Sequence, residues 1–178
     1  LTQWSGEEFK GKLFVYGEQG IGDQILHSSI LPDLHKKHPD ISLSVDNRLI
    51  SLFKRSFKYI SVTQYGDNED SSVNERHIPL LSLGPFLRKS INDFNPTPYL
   101  IPCHNKVSHY KKILSRNKKI KIGLSWLSKH HLAEGKNISL NNLSKVLTLD
   151  NFEFVNLQYS DTSDERKKFK SDFGIEII

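Results

Sequence analysis

A carboxylate set into a glycine-rich turn is the first feature of this chain that suggests chemistry. The run Leu13-Phe14-Val15-Tyr16 breaks into Gly17-Glu18-Gln19-Gly20-Ile21-Gly22, and Asp23 follows at once. Turns of this kind between a strand and a helix usually cradle phosphate on free backbone N–H groups. Here the order is G-x-x-G-x-G, not the G-x-G-x-x-G of dinucleotide sites, and no Lys-Ser or Lys-Thr follows. An acid at the start of a helix satisfies those N–H groups itself and repels phosphate. The turn therefore reads as a device that presents a carboxylate, with Gly20 and Gly22 letting a substrate approach the backbone. A fixed carboxylate can take a proton from an incoming hydroxyl. The competing reading is a plain helix cap, a common place for Asp.

A second set of candidates lies further along. Ser125 and Trp126 end an apolar run, Lys129 and Lys136 lie in the loop after it, and Gln158-Tyr159 closes a later run. Open α/β sheets bind ligands at the carboxyl ends of their strands, so these residues could line one cleft. Each has a structural reading too: Trp126 as a core aromatic, the lysines as solvated loop residues, Gln158-Tyr159 as a strand end. His35 and His38 have no third ligand spaced to join them, so a helix surface suits them better than a metal. His130 and His131 are adjacent and point apart. No Asp-x-Asp motif offers a paired-carboxylate metal site, and no Ser-His-Asp or Cys-His set is spaced for nucleophilic catalysis. The Asn137 and Asn142 sequons are read as chance.

The elements that must position these groups follow from hydrophobic period. Strands are expected at Lys12–Tyr16, Ile41–Val45 and about Tyr59–Gln64. Helices are expected from about Asp23 to Lys37, with Pro32 bending or dividing the run, and through Leu49, Ile50, Leu52 and Phe53 after an Asp46-Asn47 cap. Residues 66–76 read as a polar loop and His77 to Leu83 as a further apolar segment. A second series follows: a strand at Lys119–Trp126, and a Ser139-capped helix with Leu140, Leu143, Val146 and Leu147 on one side. After it come a strand at Phe152–Leu157, a charged helix at Asp161–Asp172 and a strand at Ile175–Ile178. This alternation predicts an α/β, Rossmann-like, doubly wound parallel sheet. The division expected is residues 1–105, a linker or helix over 106–118, and residues 119–178.

Composition narrows the classes. The 178 residues are 37% hydrophobic and 25% charged, with a net charge of +5. No run is long enough to span a membrane and no secretion signal opens the chain. The single cysteine, Cys103, cannot form an internal disulfide, which points to a reducing cytoplasm. The basic stretch Lys106–Lys121 holds one aromatic, Tyr110, so it reads as a solvated helix and linker and no nucleic-acid partner is expected. The chain lacks methionine and ends on an apolar run, so it is expected to be a piece of a longer protein.

The stretch G-E-Q-G-I-G-D-Q-I followed by Leu31-Pro32 resembles the heptosyltransferase-like group of glycosyltransferases, family 9. It is most similar to bacterial proteins in which such a domain follows tetratricopeptide repeats. Trp4-Ser5-Gly6-Glu7, Ile122-Gly123-Leu124-Ser125-Trp126 and Phe154-Val155-Asn156-Leu157-Gln158-Tyr159 fit the same pattern in the same order. The resemblance implies a GT-B fold, in which two Rossmann-like domains face each other. Residues 1–105 would be the acceptor-side domain and residues 119–178 the truncated start of the donor-side domain. It implies inverting, metal-independent transfer of a sugar from a nucleotide-sugar donor to an acceptor hydroxyl, with no cofactor. Asp23 would be the general base, with Gly20, Gly22 and Gln24 beside it on the substrate side. Ser125, Trp126, Lys129, Lys136, Gln158 and Tyr159 would serve the donor, although Asn137 stands where the family often has an arginine. The acceptor could be a saccharide, a lipid-linked saccharide or a protein, and peripheral membrane association is compatible with it. The alternatives are a catalytically inactive binding or scaffold module linked to helical repeats, a different nucleotide-dependent Rossmann-like enzyme, against which the missing G-x-G-x-x-G argues, and nucleic-acid binding through Lys106–Lys121, which a steep salt dependence of oligonucleotide binding would support.

Overall fold

The structure, a computed structural model, describes residues 1–66, 74–128 and 134–178. The chain divides into two compact units, Leu1–Val107 and Ser108–Ile178. Each has its own sheet and its own core. Both are α/β with parallel strand pairing.

In the first unit β1 is Thr2–Gln3, β2 Lys12–Tyr16, β3 Ile41–Val45, β4 Ser61–Gln64 and β5 Asn74–Pro79. They form one sheet in the order β1-β5-β2-β3-β4. The chain steps outward from β2 to β3 to β4, then returns to the other side of β2 with β5. The direction of winding therefore reverses between β2 and β5. Register pairs Leu13 with Ile41 and Val15 with both Leu43 and Ile78. This puts Leu13, Val15, Leu43, Val45, Val62 and Ile78 on one face, where they join the core. The opposite face carries Phe14, Tyr16, Ser42, Ser44 and His77. Tyr16 stacks on both Phe14 and His77, at 5.7 and 5.9 Å between ring centroids. The alternation in Ile-Ser-Leu-Ser-Val is this difference between faces, written with the two-residue period of a strand.

The helix expected from Asp23 to Lys37 is divided. Helix α1 is Ile21–His27, a 3-10 turn spans Ser28–Ile30, and α2 is Leu31–Lys37 with Pro32 in its first turn. Proline is tolerated there because the N–H it lacks would have no intrahelical acceptor. After β3, Asp46 caps a short turn by accepting from the Arg48 N–H at 2.9 Å, and α3 follows at Ile50–Ser56. The expected loop at 66–76 is shorter, since Asn74–Arg76 already belong to β5, and residues 67–73 lie outside the described residues. Helix α4 is Gly84–Leu87. The missed strand β1 is only two residues long, too short to show a period. It is held by pairing with β5, and by Trp4, which is 1% exposed. Helix α5, His104–Leu114, has no buried residue, as a solvated helix should.

In the second unit β6 is Ile120–Leu124 and β7 Phe152–Asn156. Helix α6, Leu140–Leu147, is capped by Ser139, whose Oγ accepts from the Asn142 N–H at 3.3 Å. Helix α7 is Ser163–Phe173 and stops at Gly174, whose φ of 70° is the left-handed conformation glycine adopts freely. The core holds Trp126, Leu140, Leu147, Phe154, Phe169 and Ile177. Val146, expected on the apolar side, is 57% exposed. Six residues of helical turn carry it well off the line of Leu140 and Leu147. The last segment makes a single parallel bridge, Phe154 to Ile177, not a full strand. No helix among the described residues is long and apolar enough to cross a membrane.

Candidate functional site at the carboxyl ends of the strands

The Gly17–Asp23 turn leaves the carboxyl end of β2, beside the point where the winding reverses. That is where parallel open sheets leave a crevice for ligands. The three glycines have separate duties. Gly17 has a packing reason: a Cβ there would lie 2.6 Å from the Gln24 side-chain oxygen. Gly20 is the N-cap of α1 in extended conformation. Gly22, in the first turn of α1, has no such reason, because a Cβ would meet nothing within 4 Å and its φ is not positive. The left-handed residue of the turn is Gln19, at φ 59°. A bulky side chain in that conformation costs about 1 kcal/mol or more.

Asp23 is exposed and stands at the third position of α1, not at the N-cap. Its Oδ2 accepts from the Gly20 N–H at 3.1 Å. This is half of a capping box, since Gly20 has no side chain with which to answer. The carboxylate thus secures the turn and still faces solvent.

Gln24 faces inward. It is 1% exposed, and both ends of its amide are engaged. Oε1 accepts from the Asp46 N–H at 3.1 Å, and Nε2 donates to the Tyr65 hydroxyl at 2.6 Å. One side chain therefore ties the start of α1 to the ends of β3 and β4. This corrects its expected place among substrate contacts: Gln24 positions the turn from beneath.

Neighbouring groups that the sequence reading passed over complete the corner. Arg48 grips Asp46 with two hydrogen bonds of 2.9 and 2.8 Å. Those bonds, with the Arg48 N–H, hold the Asp46 carboxyl at about 2. Burial pushes the phenols of Tyr16 and Tyr65 up, and the Glu18 charge adds to both. Tyr65 directly follows β4, and a search of the positions that close each strand would have found it.

In the second unit Gln158 does for one turn what Gln24 does for the other. It is 8% exposed. Its Oε1 accepts from the N–H groups of Trp126 and Leu127, each at 3.1 Å, and from the Ser125 hydroxyl at 3.3 Å. Its Nε2 donates to the Leu127 carbonyl at 2.7 Å. The expected ligand contact is a clamp on the turn after β6. Trp126, 5% exposed, is a core residue. Its indole N–H donates to Glu165 at 3.0 Å, which fixes the ring against α7. Ser125 and Tyr159 are exposed, as is Lys136 in the 3-10 turn Glu134–Lys136. Lys129, His130 and His131 lie outside the described residues. His38 is stacked on Phe9 and bonded to the Gly11 carbonyl, while His35 stacks on Tyr59. Among the described residues no group of three or more His, Cys, Asp or Glu is arranged to hold a metal ion.

The chain is similar to the protein FlbA of Caulobacter vibrioides, with 32% identity over 197 aligned positions that cover 99% of this chain and 33% of FlbA. It spans about a third of the length of that curated relative. No family model matches the chain. No solved structure matches it either.

Proposed function

We propose that the chain is part of an inverting GT-B glycosyltransferase that works without a metal or cofactor, the first unit serving the acceptor and the second the nucleotide-sugar donor. Asp23 accepts the proton of the acceptor hydroxyl as its oxygen attacks the anomeric carbon. The bond from that carbon to the nucleoside diphosphate breaks, and the electron pair leaves with the diphosphate. The reading is supported above all by Gly22 and Asp23 together. A glycine that neither φ nor packing requires leaves the backbone bare beside an exposed carboxylate, at the reversal point of the sheet. Ser125, Lys136 and Tyr159 remain as donor-side candidates with exposed side chains. The proposal places the protein in the bacterial cytoplasm, where nucleotide sugars are made, with this chain following tetratricopeptide repeats.

A second reading is favoured by the donor side itself. Trp126 is sealed in the core and Gln158 is fully engaged, so fewer groups there are left to hold a nucleotide. A binding module that keeps the fold and has lost transfer would look like this. The test is a panel of nucleotide sugars offered to the full-length protein and to its Asp23→Asn variant. A general base contributes about 10²–10⁴ in rate. The variant should therefore keep donor binding and lose turnover by at least about a hundredfold. If no donor binds the intact protein, the transferase reading fails and the binding module stands.

A further inference from the structure

The bond between Gln24 and Tyr65 has a definite polarity. The Asp46 backbone N–H can only donate, so the Gln24 atom facing it is the amide oxygen. The other end of the same amide is then NH₂, and the Tyr65 oxygen must accept from it, at 2.6 Å. The phenol keeps its own hydrogen for another partner. Tyr65 is 46% exposed, just past the carboxyl end of β4. Accepting a short hydrogen bond polarises the hydroxyl and makes it a better donor. Buried Gln24, held in turn against Gly17, fixes where that donor stands.

We propose that Tyr65 is a ligand-contacting residue of this site, its hydroxyl donating to an oxygen of an uncharged saccharide whose apolar face lies on the exposed ring. The inference rests on the acceptor-site reading above and names the acceptor's chemistry. An exposed phenol gives a sugar both things it needs, a flat apolar surface and a directed donor. The surroundings select against anions. Glu18 adds negative charge beside both Tyr65 and Tyr16, and Asp23 precedes Gln24 in the chain. Arg48 is already committed to Asp46 by two hydrogen bonds. Phosphorylated or carboxylated glycans are therefore disfavoured, while neutral hydroxyls find carboxylate acceptors.

The experiment uses the full-length protein on an array of neutral, sialylated and phosphorylated oligosaccharides, with an unglycosylated Ser/Thr-rich peptide as a further arm. Three proteins are compared: the parent, Tyr65→Phe and Glu18→Gln. Neutral glycans should be retained by the parent, and Tyr65→Phe, which keeps the ring, should bind them about five- to tenfold more weakly. Glu18→Gln makes no demand on the buried amide, so it folds even if Tyr65→Phe does not. It should raise binding of phosphorylated glycans relative to neutral ones. The inference is overturned if binding falls on the anionic glycans or the peptide, if no glycan is bound, or if both variants match the parent. Nucleotide-sugar turnover is read separately. Turnover without neutral-glycan binding removes this inference and leaves the transferase. Neutral-glycan binding without turnover does the reverse.

Discussion

At the scale of single residues, the turn before α1 combines positions that serve the fold with positions that do not. Gly17 serves it, because its missing Cβ is where the Gln24 amide lies. Gly17→Ala should push that amide off its bonds and destabilise the protein by about 1–3 kcal/mol in urea unfolding. Gly22 should respond in the opposite sense. Alanine there meets open space and restricts the unfolded chain, so stability should hold or rise by up to about 1 kcal/mol. Turnover, if Gly22 leaves room for substrate, should fall. A Gly22→Ala variant that gains stability with full activity would remove the substrate-approach argument. Asp46 offers a pH test, with its carboxyl at about 2 against an ordinary 3.8. A depressed folded value means a stabilising contribution that is complete above the unfolded value and lost as pH falls through the folded one. Asp46→Asn should thus be less stable than the parent at neutral pH, with the gap closing between about pH 4 and pH 2. Both partners of the pair reach solvent, so salt should narrow that gap. A gap that does not vary with pH would mean that the Arg48 contact contributes nothing.

Elements are held by a few side chains that bridge them, and these were hard to read in the sequence. Arg88, just after α4, reaches across to Ser29 and Asp33, and its side chain is 8% exposed. It also lies over the Phe94 ring at 4.8 Å. The Tyr99 hydroxyl donates to the Ile25 carbonyl at 2.8 Å. The 88–99 segment therefore ties α1, the 3-10 turn and α2 together, and so helps to fix the helix that carries Asp23. Removing one member of a buried ion pair leaves the other without a partner, at a cost of about 3–5 kcal/mol. Asp33 is partly exposed, so Arg88→Met should fall at or below the low end of that range. A loss below about 0.5 kcal/mol would show that the tie is incidental. Periodicity made β2, β3, β7 and α6 legible, because each buries one side at a regular interval. It could not show β1, too short to have a period, nor that Gln24 and Gln158 point inward. A buried glutamine and an exposed one look alike in sequence, and only the partners that converge on the amide distinguish them. The carboxylate turn was legible because glycine and aspartate spacing is local. Tyr65 could be picked out only as a strand-closing position; its bond to Gln24, 41 residues away, could not be read.

For the whole molecule, the arrangement of the two tryptophans allows each unit to be followed separately. Trp4 is 1% exposed in the core of Leu1–Val107, and Trp126 is 5% exposed in the core of Ser108–Ile178. The first core joins a five-stranded sheet to its helices. The second rests on a two-stranded sheet and one bridge. Burial per residue rises with size, and a pair of strands has little stability without the helices packed on it. The second unit should therefore be the weaker. Trp4→Phe leaves Trp126 as the only indole and reports the second unit, while Trp126→Phe reports the first. Phenylalanine can fill much of either site but gives up the indole hydrogen bond, to the Glu7 carbonyl or to Glu165. Each variant is therefore compared with the parent by circular dichroism, so that the effect of the substitution itself is known. In urea, the fluorescence of Trp126 should change at a lower concentration than that of Trp4. Transitions that coincide by both probes would show that the two cores unfold as one cooperative body. Separated transitions would also bear on function. If the second unit holds the donor, as proposed, a second unit that opens first would gain stability from a bound nucleotide sugar, and its midpoint should then rise with donor concentration while that of Trp4 stays put.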